Sequence, residues 1–436
     1  MKKFFLIIFI CIASLGAALS QKNPVYCGFD YFIRMKKTHD QEWYRAYQSA
    51  LTDWKQKRTD RGGGEGVYFV PVVFHIVYNS NEQNVPDSVV HSQMEVINED
   101  YRRLNEDAAL TREEFLPVAA DCMIEFELAD FDPDGNPTTG IIHHFTERTG
   151  FNLDFFAQEN TLDEVKYDVT GGADGWDPEH YLNIWVCNIE VSFFGQIFGL
   201  SYPPSGLDNW PGGSSAPNPG DDGVIVHYTT VGRNNPQASA DGTDDNNKGR
   251  TLTHEIGHYL GLRHTWGDEL FADPCSEDDG MTDTPLCGMG DQYACDYEAN
   301  SCSEGGGDLP DQLENYMDYT QDVCYNMFTQ EQMSLMRFVL ENQRLELLSG
   351  SALQTTEQDL IRFSIYPNPT ADILVLNLAI DHQKCSYQIH NSLGQLVLSG
   401  IALSGELNLS TLASDVYTIR ITNGSAVSTA RFVKIQ

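Results

Sequence analysis

The sequence predicts an α+β fold in two parts: a large unit that combines a mixed β-sheet with helices, and a small all-β sandwich after it. Between about residues 67 and 230, short runs rich in β-branched and aromatic residues occur together with a segment of helical spacing. A second helical pattern covers residues 329–349. From Phe363 onward, apolar and polar residues alternate between turn signals roughly every ten positions, which is typical of a sandwich of about 75 residues.

The elements of the large unit follow from local composition. The run "VYFVPVVFHIVYN", which begins at Val67, predicts a buried strand. "DSVVHSQMEVINEDYRRLN" predicts a helix, because Pro86 and Asp87 form a helix-start signal. Further strands are predicted for "CMIEFELADFDPDG", "LNIWVCNI" and "GVIVHYTTVG". Residues 202–222 and 233–248 are rich in glycine, proline and asparagine and predict loops.

Residues 1–20 predict a secretory signal peptide. Lys2 and Lys3 precede an apolar run over residues 4–15, and Ala18-Leu19-Ser20 suits a cleavage site. That run is too short for a membrane span, and no later stretch has the length that a span requires. We therefore expect an exported protein.

A charged, helix-prone segment covers residues 21–61 and ends at a glycine run, residues 62–64. A basic residue, Arg61, directly precedes these glycines, a pattern that predicts an exposed and cleavable boundary. We interpret residues 21–61 as a propeptide.

Charge and cysteine content narrow the class of protein. The 63 acidic residues outnumber the 27 lysines and arginines, and the formal net charge is −36. Such a surface disfavours nucleic acid and anionic membranes as partners, since both require positive charge. Ten cysteines in an exported chain indicate disulfides, although Cys11 leaves with the signal peptide. Cys122 and Cys187 lie in apolar runs, where a buried thiol and a bridge both remain open.

Residues 254–264 read HExxHxxGxxH and form the most informative motif of the chain. His254 and His258 lie four positions apart, so on a helix they share one face and reach one metal ion. Glu255 lies next to that face and is placed to accept a proton from a water molecule. Gly261 is expected to end the helix and let the chain turn, which brings His264 to the metal as a third ligand. Three neutral ligands leave one open position, the pattern of a catalytic rather than a structural zinc.

This motif, with "CSEDDGMTDTP", "ENYMDYTQDVC" and "MFTQEQMSLMR" after it, resembles the pappalysin family of metzincin zinc metalloproteases, in its cytophagalysin or ulilysin-like branch. The likeness covers roughly residues 65–345 and is strongest over residues 249–337. It implies a metzincin-like catalytic domain over residues 62–350, with one catalytic Zn2+ held by the three histidines and Glu255 as general base. It also implies that Met317 lies beneath the metal and that Tyr319 assists near the scissile carbonyl.

The same resemblance implies further ligands and bridges. Cys27, in the run Tyr26-Cys27-Gly28, is expected to bind the zinc in a latent form, since a thiolate is a good zinc ligand. The implied disulfides leave Cys287 without an assigned partner; they are Cys275–Cys302 and Cys295–Cys324. A structural Ca2+ is expected in the acidic stretch after His264, because calcium takes several oxygen ligands. The residues implied for it are Glu269, Asp279, Thr282 and Thr284.

The C-terminal part carries a separate resemblance. Over residues 351–436, the motifs Tyr366-Pro367-Asn368-Pro369 and Leu393-Gly394-Gln395, together with Gly424, resemble the type IX secretion C-terminal sorting domain. A generic carbohydrate-binding or adhesive β module is the alternative interpretation.

The expected protein is a secreted or cell-surface zinc endopeptidase with protein or peptide substrates, exported through the periplasm by the type IX secretion machinery. A catalytically idle secreted adhesin or binding protein with a structural zinc is the alternative from a different class, and intact Glu255 argues against it. Within enzymes, an exopeptidase is a second alternative, but no residue of the sequence marks a subsite that binds a chain terminus. Residues 315–319, Asn-Tyr-Met-Asp-Tyr, resemble the Met-turn of the metzincins. Members of the resembled branch can favour arginine after the scissile bond through acidic residues shortly after this turn. Here Val323 follows Asp322, which puts arginine preference in doubt.

Overall fold

The computed structural model describes residues 25–57, 66–154, 159–190, 196–238, 247–267, 275–289, 295–303, 305, 308–349, 363–378, 386–391, 395–401, 405–423 and 426–435. The chain divides into two compact units, residues 1–351 and residues 352–436, and each is described by itself. The predicted signal peptide and the boundary at residues 61–64 lie outside the described residues. No described helix combines the length and apolar character that crossing a membrane requires.

A mixed sheet of seven strands forms the centre of the first unit, as predicted. Its strands are β1 (Val25–Cys27), β2 (Tyr68–Tyr78), β4 (Ile124–Leu128), β5 (Ile141–Phe145), β8 (Leu182–Cys187), β9 (Gln196–Ser201) and β10 (Val224–His227). The strand order is β1-β9-β10-β8-β2-β4, and β5 also pairs with β2. Short strands elsewhere in the unit form two-stranded ladders; they are β3 (Ala119–Ala120), β6 (Leu153–Asp154), β7 (Glu159–Asn160) and β11 (Phe328–Thr329).

Six α-helices lie within the described part of this unit. They are α1 (Gly28–His39), α2 (Gln41–Lys57), α3 (Asp87–Tyr101), α4 (Arg250–Tyr259), α5 (Gln330–Asn342) and α6 (Leu345–Ser349). The single helix predicted over residues 329–349 is therefore two helices. The break lies where the amides of Gln343 and Arg344 both donate to the carbonyl of Val339, while the Arg344 guanidinium reaches the carboxylate of Asp222.

The longest strand of the sheet, β2, lies in its interior. Its residues pair in parallel with β8 on one side and with β4 and then β5 on the other. Parallel strands covered on both faces are expected to be continuously apolar, and all six residues of β8 are buried. This sheet provides a rigid base for the helices that pack on it.

Strand β9 is the last strand of this sheet in the main body of the unit. It runs antiparallel to β10, whereas β10 runs parallel to β8. The strand predicted from "GVIVHYTTVG" is β10, which lies inside the sheet between β8 and β9. The sheet edge next to α4 is therefore formed by β9. The outer side of β9 is covered by β1, which pairs with it in parallel from Val25 to Cys27.

The N-terminal segment, defined here as residues 25–57, contributes β1, α1 and α2. Cys27 caps α1, because its sulfur accepts a hydrogen bond from the amide of Phe29. Aromatic side chains of this segment are buried against the body of the unit; they include Phe29, Trp43 and Tyr47.

Residues 265–327, called here the irregular segment, contain no helix and only an isolated bridge, Asn315–Met327, among their described residues. Two disulfides join parts of this segment, Cys275–Cys302 and Cys295–Cys324, the same pairs that the family resemblance implies. Cys122, Cys187 and Cys287 are buried free thiols. The open alternative for Cys122 and Cys187 is therefore decided in favour of thiols.

The second unit is all-β and antiparallel. A three-stranded sheet in the order β12-β13-β16 and a four-stranded sheet in the order β15-β14-β17-β18 share one apolar core that includes Leu374, Ile419 and Phe432. The predicted sandwich is confirmed. Its strands are β12 (Phe363–Tyr366), β13 (Ile373–Leu378), β14 (Ser386–His390), β15 (Leu396–Ile401), β16 (Gly405–Asn408), β17 (Asp415–Asn423) and β18 (Ala426–Lys434).

Candidate metal centre

The three histidines of the motif converge on one point. His254 and His258 lie one turn apart on α4, and their Nε2 atoms are 3.1 Å apart. Gly261 has a φ of +91°, so the chain turns there and returns His264, whose Nε2 lies 3.2 Å and 3.0 Å from those of His254 and His258. Nitrogens about 2.1 Å from a tetrahedral zinc are roughly 3.4 Å apart. The spacing therefore fits a shared metal ion.

Each histidine has a polar group close to its other ring nitrogen. Nδ1 of His254 donates to the carbonyl of Tyr316 at 2.7 Å, and Nδ1 of His258 donates to the carbonyl of Leu262 at 2.9 Å. Nδ1 of His264 lies 3.3 Å from a carboxylate oxygen of Asp30. Such partners leave Nε2 as the free lone pair, which is the arrangement that metal-binding histidines adopt.

Met317 lies against the face of α4 that carries the histidines. A side chain at Gly257 would place its Cβ 2.4 Å from the sulfur of Met317, so only glycine leaves room for this contact. The amide of Met317 donates to Oδ1 of Asn315, and its carbonyl accepts from the amide of Thr265. Met317 thus supports the helix from below and holds the start of the irregular segment.

Glu255 is buried beside the histidines. Its carboxylate accepts a hydrogen bond from the hydroxyl of Ser201 at 3.3 Å and lies 3.6 Å from the sulfur of Cys27. Burial raises the pKa of Glu255 to about 8 in this closed arrangement. A dication at the histidines would oppose that shift, because an adjacent positive charge favours the ionised carboxylate.

Cys27 brings a fourth donor to the histidine cluster. One ligand atom from each of Cys27, His254, His258 and His264 lies within 4.8 Å of the others, and all four residues are buried. Burial raises the pKa of the Cys27 thiol well above its usual value, and the nearby carboxylates of Glu255 and Asp30 act in the same direction. Two soft or borderline donor types around one point are a zinc-like set, and a bound cation would stabilise the thiolate.

Asp30 is a site residue that sequence reasoning missed. It is buried in the first turn of α1, and its carboxylate accepts a short hydrogen bond from the hydroxyl of Tyr319. The amide of Cys27 donates to the same hydroxyl. The N-terminal segment therefore holds Tyr319 from two sides. The available signal was an acidic residue three positions after a helix-capping residue, which is where a first-turn carboxylate is expected.

A second missed group joins α4 to the rest of the unit. The guanidinium of Arg250 donates to Asp107 at 2.7 Å and lies 3.4 Å from Asp100. Asp100 also accepts a hydrogen bond from the hydroxyl of Tyr316 at 2.7 Å. Asp322 is the acidic residue after the Met-turn that bears on arginine preference. It is buried, and its carboxylate accepts a hydrogen bond from the amide of Lys248 at 2.9 Å. Its carboxylate stabilises the entry to α4.

Three of the four residues implied for calcium lie among the described residues. Asp279 is buried, and its Oδ1 accepts from the hydroxyl of Thr284 at 2.8 Å, while its Oδ2 has no hydrogen-bond partner among the described residues. Burial raises the pKa of Asp279 to about 8. The hydroxyl of Thr282 instead donates to Glu331 at 2.6 Å. Glu269 lies outside the described residues.

The chain is similar to known proteins in sequence and in structure. Residues 165–341 match the family model of peptidase M43, pregnancy-associated plasma protein-A, and residues 364–436 match the secretion system C-terminal sorting domain. The chain is 30% identical over 268 residues to an extracellular metalloprotease of Colletotrichum graminicola. This match covers 61% of this chain and 74% of that protein. Matches to the first extracellular metalloproteases of Arthroderma are shorter and span 32% and 36% of their length, about a third.

Two solved structures are similar over nearly their whole length. A Tannerella forsythia promirolysin mutant is 32% identical, with a TM-score of 0.60, and the match covers 73% of this chain and 95% of that one. Mature mirolysin of the same organism, in complex with a cleaved peptide, is 36% identical with a TM-score of 0.56, covering 65% and 97%. The sorting-domain match identifies the protein as secreted. Because these identities extend over most of each relative, the chain belongs to the M43 pappalysin family of extracellular metalloproteases.

Proposed function

We propose that this protein is a secreted zinc endopeptidase that hydrolyses peptide bonds in extracellular proteins. The observation that carries the proposal is the convergence of three buried histidine nitrogens beside the buried carboxylate of Glu255. The solved structure of mature mirolysin holds a cleaved peptide, which supports a peptide as the substrate class. The free edge that β9 would present without β1 suits an extended peptide, since backbone amides and carbonyls there would pair with it.

Each catalytic residue has a distinct role in this proposal. His254, His258 and His264 would hold a zinc ion, which would supply Lewis-acid chemistry to the peptide carbonyl and to a water molecule near neutral pH. Glu255 accepts a proton from the attacking water and then delivers it to the leaving amine. Tyr319 donates its hydroxyl hydrogen to the oxygen that gains negative charge.

The N-terminal segment keeps the enzyme latent in this proposal. Cys27 supplies a thiolate to the metal, and Asp30 holds the hydroxyl of Tyr319. Strand β1 occupies the edge of β9 that a substrate needs. Cleavage between residues 58 and 64, after removal of the signal peptide at residues 1–20, would release the catalytic domain over residues 62–350. The similarity to promirolysin, a pro-form, supports this order of events.

The remaining assignments concern the tail and a second metal. Residues 351–436 would address the protein to the type IX secretion machinery, a role supported by the match to the sorting domain. A structural Ca2+ would bind near Asp279, supported by its buried Oδ2 that lacks a hydrogen-bond partner among the described residues. Calcium at that oxygen would replace the missing hydrogen bond and offset the burial of the carboxylate.

Metal content and activity of the same sample test the main proposal. Purified protein freed of its N-terminal segment should contain about one zinc per chain and lose proteolysis on treatment with a chelator. Glu255→Ala should retain the zinc, because the three histidines remain, and lose activity by roughly two to four orders of magnitude. Activity of Glu255→Ala equal to that of the parent would contradict the mechanism. Full zinc content with no proteolysis in the parent would favour the idle binding protein instead.

A further inference from the structure

Aromatic rings of the N-terminal segment fill a hollow directly beside the metal ligands. Phe29 is fully buried, meets Trp210 edge to face with ring centres 5.1 Å apart, and lies on the ring of His258 at 5.4 Å. Phe32 meets the ring of Tyr202 edge to face at 5.7 Å. Two phenylalanines thus occupy space that a departing N-terminal segment would vacate.

The walls of this hollow are held by bonds within the catalytic body. Nε1 of Trp210 donates to the carbonyl of Gly261 at 3.0 Å, at the turn that delivers the third histidine. The guanidinium of Arg263 stacks on the ring of Trp210 at 4.4 Å. The hydroxyl of Tyr202 donates to Asp163 at 2.7 Å. Arg263 also stacks on Tyr47 of the N-terminal segment at 4.1 Å. The hydrogen bonds of Trp210 and Tyr202, in contrast, have their acceptors in the catalytic body and remain when the segment leaves.

We propose that Tyr202, Trp210 and the ring of His258 form an aromatic subsite that binds an aromatic side chain of the peptide substrate. The inference rests on the proposed peptidase function and adds a substrate class to it. Phe29 and Trp210 already meet with their ring planes at 89°, the edge-to-face arrangement that aromatic pairs favour, and an aromatic side chain of a substrate could adopt it in place of Phe29. The positive charge of Arg263 also disfavours a lysine or arginine side chain in the same space.

The subsite is close to the reacting bond. A ring in contact with His258 is within roughly 7 Å of a carbonyl at the metal, and an extended peptide advances about 3.3 Å per residue. The selected aromatic residue is therefore within about two positions of the scissile bond. Polar small residues gain no ring contact there.

The full chain is first activated by cleavage that removes its N-terminal segment. Peptide cleavage by this activated protein tests the proposal. A library should show phenylalanine, tyrosine or tryptophan enriched at one position within about two residues of the cut. A peptide with phenylalanine at that position should have a kcat/KM at least about tenfold above its alanine counterpart. Trp210→Ala should reduce this ratio to about twofold or less. Phe145→Ala, which removes an aromatic residue 66% exposed elsewhere in the unit, should leave the ratio unchanged.

Several outcomes would overturn the inference. One is equal cleavage of the phenylalanine and alanine peptides by the parent enzyme, a comparison that needs no variant; in that case the peptidase function stands and the subsite falls. Another is an undiminished ratio in Trp210→Ala. If that variant does not fold, Tyr202→Leu provides the second test, since it removes a ring of the subsite and should also lower the ratio. If the parent cleaves neither peptide, the proposed function fails together with the subsite.

Discussion

The sheet-and-helix region, which comprises the described residues of 66–264 and 328–349, and the irregular segment both contribute to the metal centre. The two regions are stabilised in different ways. The first carries His254 and Glu255 on α4, which packs on β9 and β10, strands whose residues are mostly buried. The second carries Tyr319 and Met317 on a chain whose described part has no helix and is joined by two disulfides. Apolar burial and backbone ladders stabilise the first region, whereas covalent links and side-chain hydrogen bonds stabilise the second. The two regions should therefore fail under different conditions.

The largest expected effect is the loss of a disulfide from the irregular segment. Replacing both Cys295 and Cys324 by alanine removes a link that closes a loop of 29 residues. In the chain-entropy account this costs about 3–4 kcal/mol of stability. The free energy of unfolding from urea titration should fall by that amount, and limited proteolysis should cut within residues 265–327 first. Unchanged stability, or first cuts within the sheet, would contradict the distinction between the regions.

Acid should act mainly on the sheet-and-helix region. His227 ends β10, and burial lowers its pKa to about 3, with Nδ1 accepting from the amide of Thr229 and Nε2 donating to Asn188. The unfolded chain binds this proton near pH 6.5 and the folded chain does not, so its contribution is complete above pH 6.5 and is lost as the pH falls toward 3.

At pH 5 that loss amounts to about 2 kcal/mol. His227→Gln should remove this part of the pH dependence of the free energy of unfolding. His180→Gln, at an exposed histidine, should preserve it and serves as the control. A pH profile of His227→Gln that matches the parent would show that this histidine is not the acid-sensitive group.

The hydrogen bond between Asp30 and the hydroxyl of Tyr319 is called here the clamp. Removing the clamp should have a smaller effect, and this effect should concern latency rather than folding. The test uses the full chain with Glu255→Ala, so that no self-cleavage occurs, and measures alkylation of Cys27 by mass spectrometry. Asp30→Ala should speed this alkylation by about tenfold, since the lost charge-assisted hydrogen bond is expected to hold the segment closed by roughly 1.5 kcal/mol.

The clamp predicts coupling between the two residues. In a chain that also carries Tyr319→Phe, Asp30→Ala should have much less effect on Cys27 alkylation, because the hydroxyl that Asp30 binds is gone. Glu42→Ala, which removes an exposed carboxylate of α2, should leave the rate unchanged. Equal acceleration by Asp30→Ala with and without the Tyr319 hydroxyl would rule out the clamp.

Calcium should give the smallest change and act only through the irregular segment. Adding calcium to metal-depleted protein should raise the melting temperature by a few degrees, because a cation that binds the folded state stabilises it. Asp279→Asn should abolish this response, whereas Glu298→Gln, at an exposed carboxylate of the same segment, should retain it. If calcium does not change the melting temperature of the parent, the acidic stretch after His264 is an ordinary solvated surface and not a calcium site.

Sequence patterns predicted the regions with strong local periodicity. The buried strand β2, the helix α3 and the C-terminal sandwich follow from hydrophobic spacing and turn residues. The break between α5 and α6 did not, because it depends on Arg344 reaching Asp222, 122 residues away in the chain. The position of β9 next to the sheet edge likewise depends on the order of the strands, and local composition carries no information about that order.

By itself, the sequence determined the convergence of the motif histidines. Four-residue spacing on a helix and a glycine with positive φ are local properties, and they bring His254, His258 and His264 to one point. The groups that surround these histidines depend on how distant elements of the chain pack together. Asp30 reaches Tyr319 across 289 positions, and Asp322 turns to the entry of α4 instead of a substrate. Such contacts arise when separate elements pack, and their partners leave no periodic signal in the chain.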